Sequence, residues 1–142
     1  MTASRAVVTA TIFVWLGMVM AISFLEAPLK FRAPKVTVQI GLGIGRLVFR
    51  ALNSIESLLA ITILVAIAVD PPTTGTIAAF AVAAGALITQ LAIVRPRLTR
   101  HSDAVLAGGN APRSHSHYTY VGLETTKVVA LLTGGALALA TT

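Results

Sequence analysis

Glu56, Glu124 and Lys127 are ionisable residues set inside long apolar stretches, and that setting makes them the first candidates for chemistry. An ionised carboxylate or ammonium in bilayer hydrocarbon costs ~2.5–3.5 kcal/mol on insertion scales unless it finds a partner or water. At 100° per residue, His117, Tyr120, Glu124 and Lys127 share a helical arc of about 80°. Arg46, Arg50, Asn53 and Glu56 share one of about 120°. Each stretch, read as a helix, therefore carries one polar stripe, and a mutual Glu56–Lys127 pair would lower the cost of burying both. Such a cluster can bind a ligand, exchange a proton or hold an ion. Its alternative is an ion-pair network that fixes helix register and does nothing else.

Other reactive types offer less. Glu26 and Lys30 flank Pro28 at i,i+4 spacing, which suits an interfacial ion pair. His115 and His117 with Glu124 are zinc- or iron-type donors, but two histidines two positions apart on a helix point to opposite sides. No HExxH or ferritin-type ligand pattern is present, no nucleophile motif assembles, and no phosphate-cradling loop occurs. Cysteine is absent, which removes disulfides and thiolate sites. No catalytic residue, metal or cofactor is expected. Phe13, Trp15 and Phe24 read as packing or interface anchors.

These residues need elements that live in lipid. Hydrophobic residues make up 56% of the chain and charged ones 11%, against roughly 25% charged in an average soluble domain. That leaves too little polar surface to coat a water-soluble body. The expected fold is all-α: an integral membrane four-helix bundle forming a single transmembrane domain. Its spans are expected at about 6–25, 47–69, 74–94 and 118–140, each near the ~20 residues that cross ~30 Å of hydrocarbon. The first is expected to be a retained span, because its apolar run exceeds an ordinary signal core and no small-x-small cleavage site follows. Connections are expected at 26–46 and 95–117. Within the first, the alternation from Lys35 to Gly45 would suggest a strand, but an open sheet edge cannot survive in lipid. The segment reads instead as an interfacial loop or the first turns of a long helix. A short helix is expected within the other connection, near 102–107. Asp70-Pro71-Pro72 ends the second span, and Gln90 is the strongly polar residue of the Ala- and Gly-rich third.

Lys30, Arg32, Lys35, Arg46 and Arg50 gather at the first connection, and Arg95, Arg97, Arg100 and Arg113 at the third. By the positive-inside rule both connections are cytoplasmic and both termini face out. A multi-pass protein of the cell membrane follows, with lipid as its surroundings. The net charge of +6 then reflects topology and anionic headgroups rather than nucleic acid. The expected function is ligand binding or transport through a cytoplasmic-side polar pocket of Glu56, Glu124, Lys127, Asn53, Arg50, His117 and Tyr120, in a homo-oligomer. The alternatives are a non-catalytic accessory subunit that pairs with a membrane partner and, third, a His/Glu metal protein.

The stretches Leu16-Gly17, Phe24-Leu25-Glu26-Ala27-Pro28-Leu29-Lys30-Phe31 and Gly45-Arg46-Leu47-Val48-Phe49 resemble a family of small bacterial four-helix membrane proteins of unknown function. That family has a glycine in span one, an Ala-Pro-x-x-Phe exit and a Gly/Phe entry to span two. The resemblance covers about the first half of the chain. It implies four spans in a bacterial inner membrane and transfers no activity.

Overall fold

The computed structural model describes residues 1–107 and 115–141, with side chains in the last helix described from Tyr118 onward. Every regular element is helical: α1 (Ala3–Val19), α2 (Ala27–Leu29), α3 (Val38–Val69), α4 (Thr74–Thr89), α5 (Arg95–Leu106) and α6 (His115–Ala140). Two π-helical turns, Met20–Glu26 and Gln90–Val94, join α1 to α2 and α4 to α5. The result is four helical rods, at Ala3–Arg32, Val38–Val69, Thr74–Leu106 and Tyr118–Ala140, each long and apolar enough to cross a membrane.

Local chemistry sets where these rods begin and end. Thr2 and Thr37 are N-caps whose hydroxyls accept from the Arg5 and Ile40 amides, both at 3.2 Å, satisfying donors left open in a first turn. Asp70 stops α3 in an extended conformation before Pro71 and Pro72. The segment with period-two alternation is helical from Val38, so it forms the first turns of a long helix. The third rod also runs further than its apolar composition indicates. It passes through Arg95 into α5 without a break, so the basic residues expected in a connection from 95 stand on a helix up to Leu106.

Both π turns end two residues before a proline. Pro28 and Pro96 lack an amide donor, and their rings crowd the carbonyl four residues back. The backbone accommodates this by widening: the Ala27 amide donates to the Ile22 carbonyl and the Arg95 amide to the Gln90 carbonyl, each five residues back.

The closest helix pairs are α4 with α6, α1 with α3 and α1 with α6. Their shared core is apolar, formed by Val8, Ile12 and Val19 of α1, Ile63 of α3, Ala83 and Leu87 of α4, and Leu131 of α6. Close approach depends on glycine at several places, two of which join elements of the bundle through an Ala79 and a Phe31 contact. A Cβ on Gly134 would lie 3.1 Å from the Ala79 Cβ, and one on Gly41 would fall 2.1 Å from the Phe31 ring. The outward faces are apolar as well: Leu58, Leu64 and Ile88 are each about 60% exposed (63%, 58% and 64%). Apolar surface this extensive marks contact with lipid or another protein.

Candidate functional site

Packed beside this apolar core is a polar cluster contributed by all four rods. Glu56, Lys127 and Glu124 are buried to 0%, 0% and 1% exposure. Lys127 Nζ lies 2.5 Å from Glu56 Oε2 and 2.5 Å from Glu124 Oε1, so one ammonium is shared between two carboxylates. Glu124 and Lys127 are i,i+3 neighbours on α6, while Glu56 reaches them from α3. Helices α3 and α6 run in the same direction, and each residue precedes the end of its helix by about 20 Å of rise. Equal depth is what lets the pair meet.

The two carboxylates are held differently. Glu124 Oε1 accepts from Gln90 Nε2 at 2.7 Å as well as from Lys127, and its Oε2 accepts from the Ser23 hydroxyl. Ser23 and Gln90 each belong to a π turn, so the widening imposed by Pro28 and Pro96 falls where two helices present donors to one carboxylate. π-Helical turns occur frequently at functional sites. Glu56 is held on one oxygen alone: Trp15 Nε1 donates to Oε2 at 2.7 Å beside Lys127. Glu56 Oε1 is buried and has no hydrogen-bond partner among the described residues.

Asn53 lies one turn from Glu56 toward the basic end of α3. Its Oδ1 accepts from the Tyr120 hydroxyl at 3.5 Å, and the Tyr120 carbonyl accepts from Gln90 Nε2 at 3.4 Å. The Tyr120 ring stands edge-on to Phe49 at 5.5 Å. Asn53 Nδ2 and Gln90 Oε1 are also buried without partners among the described residues. Polar groups therefore run in a circuit from Glu56 through Lys127, Glu124, Gln90 and Tyr120 to Asn53, which returns to α3 one turn from Glu56 without a bond between the two.

Of the residues expected at the site, Glu56, Glu124, Lys127, Asn53 and Tyr120 are brought together. Arg50 is exposed and outside the circuit. Lys30 Nζ is 3.8 Å from Glu26 Oε2 and lies over the Phe31 and Phe49 rings at 5.5 and 5.6 Å, a separate arrangement near the end of the bundle. The side chains of His115 and His117 lie outside the described residues, and among those described no group of three metal-ligating side chains forms. Trp15 and Ser23 were not expected here. Trp15 carried a signal, because a buried indole N–H requires an acceptor; a serine in an apolar run carried none.

Shallow grooves mark the bundle surface, among them one of ≈ 510 Å³ between α4 and α6 and one of ≈ 450 Å³ between α1 and α3. Neither is lined by a member of the charged cluster. The fold and site define an all-helical bundle with four rods long enough to cross a membrane and a buried, shared-ammonium triad between them. Compared with protein-family models, curated proteins and solved structures, the chain matches none.

Proposed function

We propose that this chain is a four-span membrane protein of the ion-binding or transport type, with Glu56, Glu124 and Lys127 as its site. The observation that carries the reading is unequal pairing: two fully buried carboxylates share one ammonium. A registry device is complete with one charge of each sign. A second carboxylate leaves the set able to take up a proton or a cation.

Depth supports the same reading. With Val69, Thr74 and Ala140 near one interface, ~30 Å of hydrocarbon spans about 20 helical residues. The opposite interface then falls near Glu26, Arg50, Arg95 and Tyr120. Glu56 and Lys127 lie about 10 Å inside it, where Asn53 and Tyr120 stand between them and water. The basic residues Arg32, Lys35, Arg46, Arg97 and Arg100 cluster beyond this end, whereas Arg5 is paired with Asp70 at 3.4 Å at the other. The positive-inside rule makes the basic end cytoplasmic and puts both termini outside. Between the triad and the far interface lie Ile12, Ile63, Ala83 and Leu131, so a route across the membrane requires a rearrangement or a second copy.

The test is proton movement. Liposomes containing the wild-type protein and a pH-sensitive dye should dissipate an imposed pH gradient faster than liposomes containing Glu56→Gln. Equal dissipation by wild type, Glu56→Gln and protein-free liposomes would remove the transport reading.

One observation favours a second reading, a non-catalytic accessory subunit. The groove between α4 and α6 is lined by Gly75, Ala78, Ala79, Ala130 and the threonines 125, 126 and 133, and small residues let helices approach closely in a bilayer. A partner's helix seated there would make the charged circuit a registry device.

A further inference from the structure

We infer that Glu56 carries the exchangeable proton of the triad, while Glu124, occupied by donors on both oxygens, is the partner of Lys127. The assignment rests on the reading of the triad as an ion site only in calling the proton exchangeable; which carboxyl is neutral follows from hydrogen bonding. Glu124 accepts from three donors on both oxygens: Lys127 and Gln90 on Oε1, Ser23 on Oε2. Those contacts occupy both oxygens of Glu124 and leave little room for a proton there. Glu56 accepts two donors, both on Oε2, and its Oε1 is buried and unpartnered among the described residues. That oxygen is the place in the triad where a proton displaces no donor.

Charge bookkeeping agrees. With Glu56 as the acid, Lys127 and Glu124 cancel and the buried set is neutral. With Glu56 ionised, the set carries one uncompensated negative charge in a low-dielectric interior, a costly state. Among the described residues the groups facing Glu56 offer no second cation: α1 contributes the uncharged Trp15, and α6 contributes Lys127, Glu124 and Tyr120. Arg95, where α5 begins, acts on Tyr120.

Release is a simple proton transfer. The Oε1–H bond of Glu56 breaks, its electron pair stays on the carboxylate, and the proton passes to water at the basic end. The triad goes from neutral to one negative charge. Asn53, one turn closer to that end with Nδ2 unpartnered, is the polar group placed to stabilise the anion that remains. Glu124 acts through Lys127 and is a positioning residue.

Infrared spectroscopy of the protein in vesicles at neutral pH tests this, because a protonated carboxyl has its own carbonyl stretch. The expected result is one such band that disappears in Glu56→Gln, changes frequency in Trp15→Phe and stays unmoved in Ser23→Ala. Trp15 is the single tryptophan of the chain, so its indole N–H gives one NMR resonance that needs no substitution at that position. That resonance should shift as the band titrates and hold still in Glu56→Gln. A band that moves with Ser23→Ala and ignores Trp15→Phe would place the proton on Glu124 and overturn the assignment. So would the absence of any band at neutral pH, which would mean that both carboxylates are ionised. A band behaving as expected in a protein that moves no protons across liposomes would leave the assignment standing and remove the transport function instead.

Discussion

Gln90 and Ser23 hold Glu124 from two different helices, and the cost of losing one donor measures how firmly that carboxylate is held. Replacing Gln90 with Leu removes a 2.7 Å donor from a buried anion and should destabilise the protein by about 1.5–3 kcal/mol, the range for hydrogen bonds to charged groups. Reversible unfolding in mixed micelles checks it; an unchanged stability would show that Glu124 does not depend on that bond. At this scale the sequence was informative wherever periodicity reaches. Asn53 and Glu56 on one helix, with Tyr120, Glu124 and Lys127 on another, are grouped by spacing alone, because residues three and four apart share a face. The contributions of Trp15 and Ser23 depend on how α1 is rotated against α3 and α6. A polar residue without a polar stripe around it leaves no such trace. Arg50 fell into the expected stripe through the same periodicity, but it faces outward, where a basic side chain can reach an interface.

Helix geometry explains why the polar residues converge. Each π turn precedes a proline, and the extra residue rotates everything beyond it by about 100° relative to a regular helix. Pro96→Ala removes the reason for the turn at Gln90–Val94 and should weaken the Gln90–Glu124 bond. Combined with Gln90→Leu, its effect should be less than additive, because both act through one interaction. Full additivity in a double-mutant cycle would separate the proline from the site. The glycine contact between α6 and α4 makes a further prediction. A leucine at Gly134, where even a Cβ meets Ala79 at 3.1 Å, should overpack the interface and cost about 1–3 kcal/mol in the same unfolding assay. The rod positions were legible from apolar runs, but two boundaries were not. Composition turns basic at Arg95 while the helix continues to Leu106, and the alternating stretch after Lys35 is helical from Val38. Hydropathy reports the solvent around a segment, and a helix can pass from one solvent to another without ending.

For the whole molecule, the account predicts an orientation and an assembly. The chain has no cysteine, so single cysteines at Lys35 and at Thr73 can be labelled with an impermeant reagent from either side of a membrane. Lys35→Cys should react from the cytoplasmic side and Thr73→Cys from the opposite one. Reaction of both from the same side would contradict the four-span topology. Native mass spectrometry of gently extracted protein should find a homo-oligomer, and Ala78→Phe, at an exposed position of the groove between α4 and α6, should shift it toward monomer. A heteromeric complex without a second copy would favour the accessory-subunit reading.

The central claim is that the triad is an ion site and more than a registry pair, and a stability cycle on Glu56→Gln and Lys127→Met in a bilayer tests it most directly. Glutamine reproduces a neutral carboxyl, so the account predicts that Glu56→Gln keeps near wild-type stability. Lys127→Met strands Glu124 without its counter-ion, and the predicted loss is about 3–5 kcal/mol, as for one partner removed from a buried pair. Adding Glu56→Gln to Lys127→Met should restore little of it. Large losses in both single variants, recovered in the double, would instead show a structural Glu56–Lys127 pair and contradict the account.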